Sequence, residues 1–151
     1  MTSDPGLSVS VTDGRGRQLL SRGLVRWLAR IAPASARGDL TVALVSDGKM
    51  RALNRQFRGI DRPTDVLSFP ADPAPRRPRG QRPFLGDVVI ATGVARRQAR
   101  SAGDPIDTEI RRLALHGLLH VLGYDHEHDD GRMEKVERRL LRRGGITEHR
   151  S

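Results

Sequence analysis

The chain has 151 residues, of which 36% are hydrophobic and 30% charged, a composition typical of one globular domain that buries a core without covalent cross-links. It contains no cysteine, so disulfides and thiolate ligands are excluded and any metal must bind histidine, aspartate or glutamate. A net charge of +9 favours a polyanionic partner, nucleic acid first. An arginine bias of the genome is the alternative, because only two of the 27 basic residues are lysines.

The sequence shows no segment for a membrane. No apolar run approaches the roughly 20 residues that span a bilayer, and the amino terminus has no basic leader followed by an apolar stretch. We therefore expect a cytoplasmic protein without membrane contact. Five aromatic residues are few for a base-stacking platform of the single-strand-binding kind. Nothing in the pattern indicates the oligomeric state.

Hydrophobic patterning predicts an α+β fold. Alternation and β-branched residues predict four strands, at residues 7–11, 39–45, 65–69 and 86–91. Helical spacing predicts five helices, at residues 18–32, 47–57, 92–103, 105–122 and 130–143. The order β-α-β-α-β-β-α-α-α indicates one domain over residues 1–151, with a single mixed sheet of about four strands covered by about five helices.

Several local features refine these predictions. Leu20 is expected on the inward face of the first helix and Phe57 on that of the second. Asp47 is expected to cap the second helix, and Asp104 to cap the fourth. Residues 70–85 hold five prolines and four arginines, which predicts a basic loop. That loop is either a solvated connection or an arm that touches phosphate.

Residues 116–126 read HGLLHVLGYDH and hold three of the five histidines. His116 and His120 lie one turn apart on a predicted helix, so their imidazoles can share one metal ion. Gly123 can adopt a left-handed conformation that ends the helix and lets the chain return His126 to the same ion. The spacing predicts a metal site of these three residues, on a helix like the zinc helix of metzincin proteases.

The chemistry of such a site favours phosphate over peptide. Three imidazoles leave a tetrahedral zinc ion one ligand short, which is typical of catalytic sites; Ni²⁺, Co²⁺ and Cu²⁺ also suit the donors. Gly117 stands where metalloproteases carry the glutamate that passes a proton to the leaving amine. A phosphodiester instead requires stabilisation of negative charge, which a metal ion and an arginine provide.

HGLLHVLGYDH resembles the signature of the YbeY family, bacterial endoribonucleases of rRNA maturation. LNRQFRGIDRPTDVLSFP (53–70) and GDVVIA (86–91) resemble two further blocks of that family, and the resemblance covers residues 39–143. It implies one zinc ion held by His116, His120 and His126. It also implies a single-strand-directed ribonuclease that acts in 16S rRNA 3′-end maturation and ribosome quality control, with the small ribosomal subunit as its partner. The family's functionally important arginine falls on Arg58.

Other polar residues have two interpretations each. Glu109 is either a hydrogen-bond acceptor that orients a ligand histidine without binding the metal, or a solvated surface charge. Thr64 and Asp65 form a turn cap or an edge of the substrate groove. Asp125 and His128 flank the third ligand as possible proton acceptors.

The leading hypothesis is therefore a zinc-dependent endoribonuclease in which Arg58 binds the scissile phosphate. A non-catalytic, metal-stabilised ribosome assembly factor is the alternative from another class. A peptidase is a third hypothesis, and Gly117 counts against it.

Overall fold

A computed structural model describes residues 6–72, 80–125 and 130–147 of the chain. Its strands are β1 (Leu7–Thr12), β2 (Gly38–Val45), β3 (Val66–Pro70) and β4 (Phe84–Ala91). Its helices are α1 (Arg22–Ile31), α2 (Asp47–Arg58), α3 (Thr92–Ala102), α4 (Ile106–Val121) and α5 (Arg132–Arg143). The predicted α+β class and the order of elements are confirmed. Among the described helices, none is both long and apolar enough to cross a membrane.

The four strands form one mixed sheet in the order β1-β2-β4-β3. β1, β2 and β4 run parallel, whereas β3 pairs antiparallel with β4. Helices make the crossovers between the parallel strands, as such connections require. β3 thus lies at one edge of the sheet, next to the central strand β4.

Alternating residues of β4 divide the helices between the two faces of the sheet. Val88 and Ile90 belong to the larger core, which α1, α4 and α5 complete, whereas Val89 packs with Met50 of α2 on the other face. α4 is buried around most of its circumference because it lies between the sheet and the neighbouring helices. The two predicted ligands on α4 therefore stand on a rigid, central element.

The first helix begins later than predicted. Gln18 pairs with Thr12, and the Leu19 amide donates to the Val11 carbonyl at 2.8 Å, so residues 18–19 extend the edge of β1. α1 starts only at Arg22, and Leu20 is 94% exposed, so its predicted inward position is wrong. Strand pairing here overrides a local helical pattern.

Two predicted caps are wrong, and both aspartates serve other contacts. Ser46 caps α2 by accepting from the Lys49 amide at 3.1 Å. Asp47 instead accepts from the Val94 amide at 3.1 Å and so links α2 to α3. Asp104 does not cap α4; its carboxylate pairs with Arg112 at 2.9 Å.

The predicted loop at residues 70–85 is shorter at both ends. β3 continues to Pro70, and β4 begins at Phe84, which pairs with β2. Arg82 is a structural residue, since its guanidinium donates to Asp39 at 2.8 Å and to the Gly6 and Gly38 carbonyls. Residues 73–79 lie outside the described part, so the role of the other loop arginines stays a prediction.

Candidate metal centre

Two imidazoles converge on one side of α4. The Nε2 atoms of His116 and His120 are 3.2 Å apart, and the ring centroids are separated by 4.7 Å. Two nitrogen ligands at 2.0–2.1 Å from a tetrahedral zinc ion lie roughly 3.3–3.4 Å from each other. The pair therefore fits a shared ion with little rearrangement, as the histidine spacing predicts.

The third predicted ligand, His126, lies outside the described residues, as do Glu127, His128 and Asp129. In the described ranges alone, no group of three metal-binding side chains is complete. The turn that the prediction requires is present: Gly123 has a φ of +101° and its amide donates to the His120 carbonyl at 3.0 Å. The role of His126 stays a prediction.

Glu137 of α5 contacts the far side of the His116 ring. Both of its carboxylate oxygens lie 3.2 Å from Nδ1 of His116. Sequence reasoning missed this residue, although it shares a helical side with Met133 and Leu140, whose burial the pattern predicts. An acidic residue on that side was the available signal.

Glu109 performs neither of the roles considered for it. Its carboxylate accepts from Arg112 at 3.2 Å, and Arg112 also binds Asp104. Glu109 is only 9% exposed, so it is not a solvated surface charge. The three residues form an ion-pair cluster near the start of α4.

The surroundings of His116 favour its protonated form. The hydrogen bond with Glu137 raises the pKa of His116, and the charges of Glu137 and Asp65 act in the same direction, against an opposing effect of burial. Asp65 itself accepts from the Val66 amide at 2.8 Å and from Gln98 at 3.3 Å. Asp65 thus caps the turn before β3, and its charge also acts on His116.

Close packing explains the glycine beside the first histidine. A Cβ atom on Gly117 would meet Val88 Cγ1 at 2.5 Å, Val88 Cγ2 at 2.9 Å and Ser68 Oγ at 3.2 Å. Ser68 also donates to the Gly117 carbonyl at 3.1 Å, which holds α4 against the edge of the sheet. A glutamate does not fit here, because this position faces the sheet.

Arg58 is the last residue of α2 and is exposed. Its Nη1 lies 3.4 Å from Oδ1 of Asn54, which is buried and whose amide donates to the Arg62 carbonyl at 2.8 Å. Within the described part of the chain, no hydrogen bond or ion pair joins Arg58 to His116 or His120. Residues 59–64 connect Arg58 to Asp65, the residue that precedes β3 and whose charge acts on His116.

Phe57 does not face the core as predicted. It is 56% exposed, and its ring meets that of Phe69 edge to face, with centroids 5.0 Å apart. An exposed aromatic ring thus stands immediately before Arg58.

Comparison with known proteins identifies similar sequences. A family profile described as "Endoribonuclease YbeY" matches residues 13–145. Proteins named "Endoribonuclease YbeY" from Anaeromyxobacter sp. and Halorhodospira halophila are 44% and 42% identical to the chain, over 88% and 81% of its length and 69% and 81% of theirs. A protein of that name from Myxococcus xanthus is 42% identical over 93% of the chain, which spans about half (49%) of that relative.

A solved structure has the same arrangement of elements. The solution structure of a Thermotoga maritima protein superposes with a TM-score of 0.60 at 26% identity, covering 90% of this chain and 88% of the other.

Proposed function

The chain belongs to the YbeY family, and on that premise we propose that it is a zinc-dependent endoribonuclease of single-stranded RNA. Its substrate in this proposal is the 3′ end of 16S rRNA on the small ribosomal subunit, in rRNA maturation and ribosome quality control in the cytoplasm. The convergence of the His116 and His120 Nε2 atoms at 3.2 Å is the observation that carries the proposal.

The proposed zinc ligands are His116, His120 and His126. When bound, zinc supplies Lewis acidity, which acidifies water and withdraws charge from phosphoryl oxygens. The protein contributes rigidity, because α4 is buried against the sheet and holds the first two imidazoles in place. Three imidazoles are neutral donors, so the ion keeps its charge to attract a phosphate.

Arg58 is the proposed phosphate-binding residue. Its guanidinium stays charged at any relevant pH and can bind two phosphoryl oxygens at once. Asn54 limits its motion through the 3.4 Å contact. In this role Arg58 orients the scissile phosphate and offsets the negative charge that develops on its oxygens.

Phe57, which directly precedes Arg58, is the proposed surface on which an RNA base stacks. Half of its ring is exposed and the other side rests on Phe69, so a base can stack without moving the core. Stacking on an aromatic side chain is largely independent of base identity. This suits an enzyme directed at single strands.

The decisive experiment combines zinc content with RNA cleavage. Wild type, His120→Ala and Arg58→Ala are purified identically and given a single-stranded RNA that ends in the 16S 3′ sequence. Arg55→Ala is the matched control, because Arg55 is also exposed on α2 and carries the same charge. We expect one zinc ion per wild-type chain, loss of zinc and cleavage in His120→Ala, and retained zinc in Arg58→Ala with cleavage about 100-fold slower.

Two outcomes would contradict the proposal. Equal cleavage by Arg58→Ala and wild type would remove the role of the arginine. Faint cleavage that is identical in all four proteins would indicate a contaminating nuclease and would favour a metal-stabilised assembly factor.

A further inference from the structure

Glu137 lies on the buried side of α5, an unusual position for an acidic residue. Residues 133, 137, 140 and 141 share one side of α5, and three of them are buried apolar side chains. Glu137 is the acidic member of this side, and its side chain is only 20% exposed. Burial of a carboxylate is costly unless hydrogen bonds compensate it, so a specific partner is required.

That partner is the imidazole of His116. Both carboxylate oxygens are 3.2 Å from Nδ1. An ionised carboxylate only accepts hydrogen bonds, so Nδ1 must carry the hydrogen. In the neutral ring the lone pair is then on Nε2, which is the atom that faces His120 at 3.2 Å.

We propose that Glu137 is the positioning residue of the metal centre: it holds His116 in the Nδ1–H tautomer, so that Nε2 presents its lone pair toward the metal. This inference rests on the proposed metal site. Glu137 binds the Nδ1 edge of the ring, opposite the Nε2 edge on which the metal would lie. Its negative charge also makes the imidazole a stronger donor.

Glu134 provides the matched control on the same helix. It lies one turn before Arg138 and pairs with it at 3.1 Å, and its side chain is 65% exposed. Replacing it removes the same charge from α5 without touching His116. A general effect of charge on zinc binding would therefore change both variants equally.

The test measures zinc affinity by competition with a chromogenic chelator. Replacement of such an outer partner typically weakens metal binding 10- to 100-fold. We expect a loss in that range for Glu137→Ala and a smaller one for Glu137→Gln, whose amide oxygen can still accept from Nδ1. Glu134→Gln should bind zinc as wild type does. Circular dichroism checks folding, and if Glu137→Ala fails to fold, the near-isosteric Glu137→Gln decides.

A second measurement reads the tautomer without metal. Nitrogen-15 spectra of the imidazoles, recorded on the alkaline side of the titration that the same spectra report, should show hydrogen on Nδ1 of His116 in wild type. In Glu137→Ala the signal should move toward the Nε2–H form. A merely structural role of Glu137 would leave this signal unchanged.

The possible outcomes distinguish failure of the proposed metal site from failure of the positioning role of Glu137. If wild type and His120→Ala bind zinc equally weakly, the metal site itself is wrong. If wild type binds tightly while Glu137→Ala matches it in affinity and in the nitrogen-15 spectrum, the metal site stands and the positioning role is refuted. Where Glu137→Ala does not fold, an unchanged zinc affinity of Glu137→Gln refutes that role.

Discussion

Replacing Gly117 with alanine tests whether packing, rather than chemistry, determines this residue. The added Cβ would lie 2.5 Å from Val88 Cγ1, whereas carbon atoms pack best at about 3.5–4.0 Å. Val88 is fully buried in β4, and its β-branched side chain is restricted at χ1, so it cannot turn away cheaply. α4 must therefore move away from the sheet.

The expected net effect is destabilising. Overpacking of a core costs about 1–3 kcal/mol, and loss of the hydrogen bond from Ser68 to the Gly117 carbonyl adds about 1 kcal/mol. Alanine offsets about 1 kcal/mol through its better helix propensity. The sum is a loss of about 2 kcal/mol in the free energy of unfolding, which lowers Tm by about 4–8 °C in a domain of this size.

Thermal unfolding of the metal-free protein, followed by far-ultraviolet circular dichroism, measures this change. Gly48→Ala is the control, because Gly48 is an exposed helical glycine whose added Cβ would meet only Ser46 Oγ, at 3.9 Å. It should raise the free energy of unfolding by a few tenths to about 1 kcal/mol. If Gly117→Ala is as stable as Gly48→Ala, close packing does not explain the missing glutamate.

Three further predictions follow from the site. The pKa of His116 is raised in the folded protein, so its contribution to stability is present below the ordinary imidazole pKa of about 6.5 and is lost as pH rises through the folded value. Urea unfolding in the presence of a chelator should therefore show that Glu137→Gln loses most stability at acid pH. A loss of unfolding free energy that does not depend on pH would contradict this. Asn54→Ala should cost about 1–3 kcal/mol in chemical unfolding, because the Arg62 carbonyl loses its buried donor, and an unchanged midpoint would refute that role. Phe57→Ala should weaken binding of a short single-stranded RNA about tenfold by fluorescence anisotropy, within the 1–3 kcal/mol of one stacked base, whereas a similar loss in a variant of the comparably exposed phenylalanine at residue 84 would indicate a non-specific effect.

The strands of the sheet could be predicted because each has a residue pattern typical of a strand. β4 is an almost continuous apolar run, as a strand covered on both faces requires, and Val88 and Val89 do serve opposite cores. Gly59 and Gly103 end their helices in the left-handed region, as their positions suggest. Where the local pattern and the tertiary pairing agree, the sequence alone is sufficient to predict the secondary-structure element.

The errors arose where distant pairing decides a local structure. Leu20 fits a helical stripe, but the bridge between Gln18 and Thr12 keeps that segment extended along β1. Asp47 and Asp104 are residues of the type that cap helices, but Asp47 accepts from the Val94 amide of α3, and Asp104 pairs with Arg112, two turns into α4 itself. Such competition depends on three-dimensional neighbours, which a single sequence does not show.

The contacts of the candidate metal centre could be predicted only in part, for the same reason. The i, i+4 spacing on α4 brings His116 and His120 together without help from the rest of the fold. Glu137 is 21 residues further along the chain, and the packing of α5 determines which of its turns faces the imidazole. The sequence also shows that a glycine stands at position 117, where metalloproteases carry a glutamate, whereas the close packing of Val88 against this position is visible only in the structure.

The positions of Gly117 and Glu137 around His116 bear on the reaction that the proposed site can catalyse. In a metalloprotease the glutamate of the zinc helix works on the side of the metal where water and substrate meet. Here that helix position faces Val88 and Ser68, and the carboxylate that reaches His116 comes from α5, on the Nδ1 edge of the ring. Glu137 thus contacts the Nδ1 edge of the ring, opposite the Nε2 atom that faces His120, a position from which it can strengthen a metal ligand. Because position 117 lacks the glutamate that passes a proton to a leaving amine, the arrangement fits the proposed phosphodiester cleavage, in which a metal ion and Arg58 would stabilise charge on the phosphoryl oxygens, better than peptide hydrolysis.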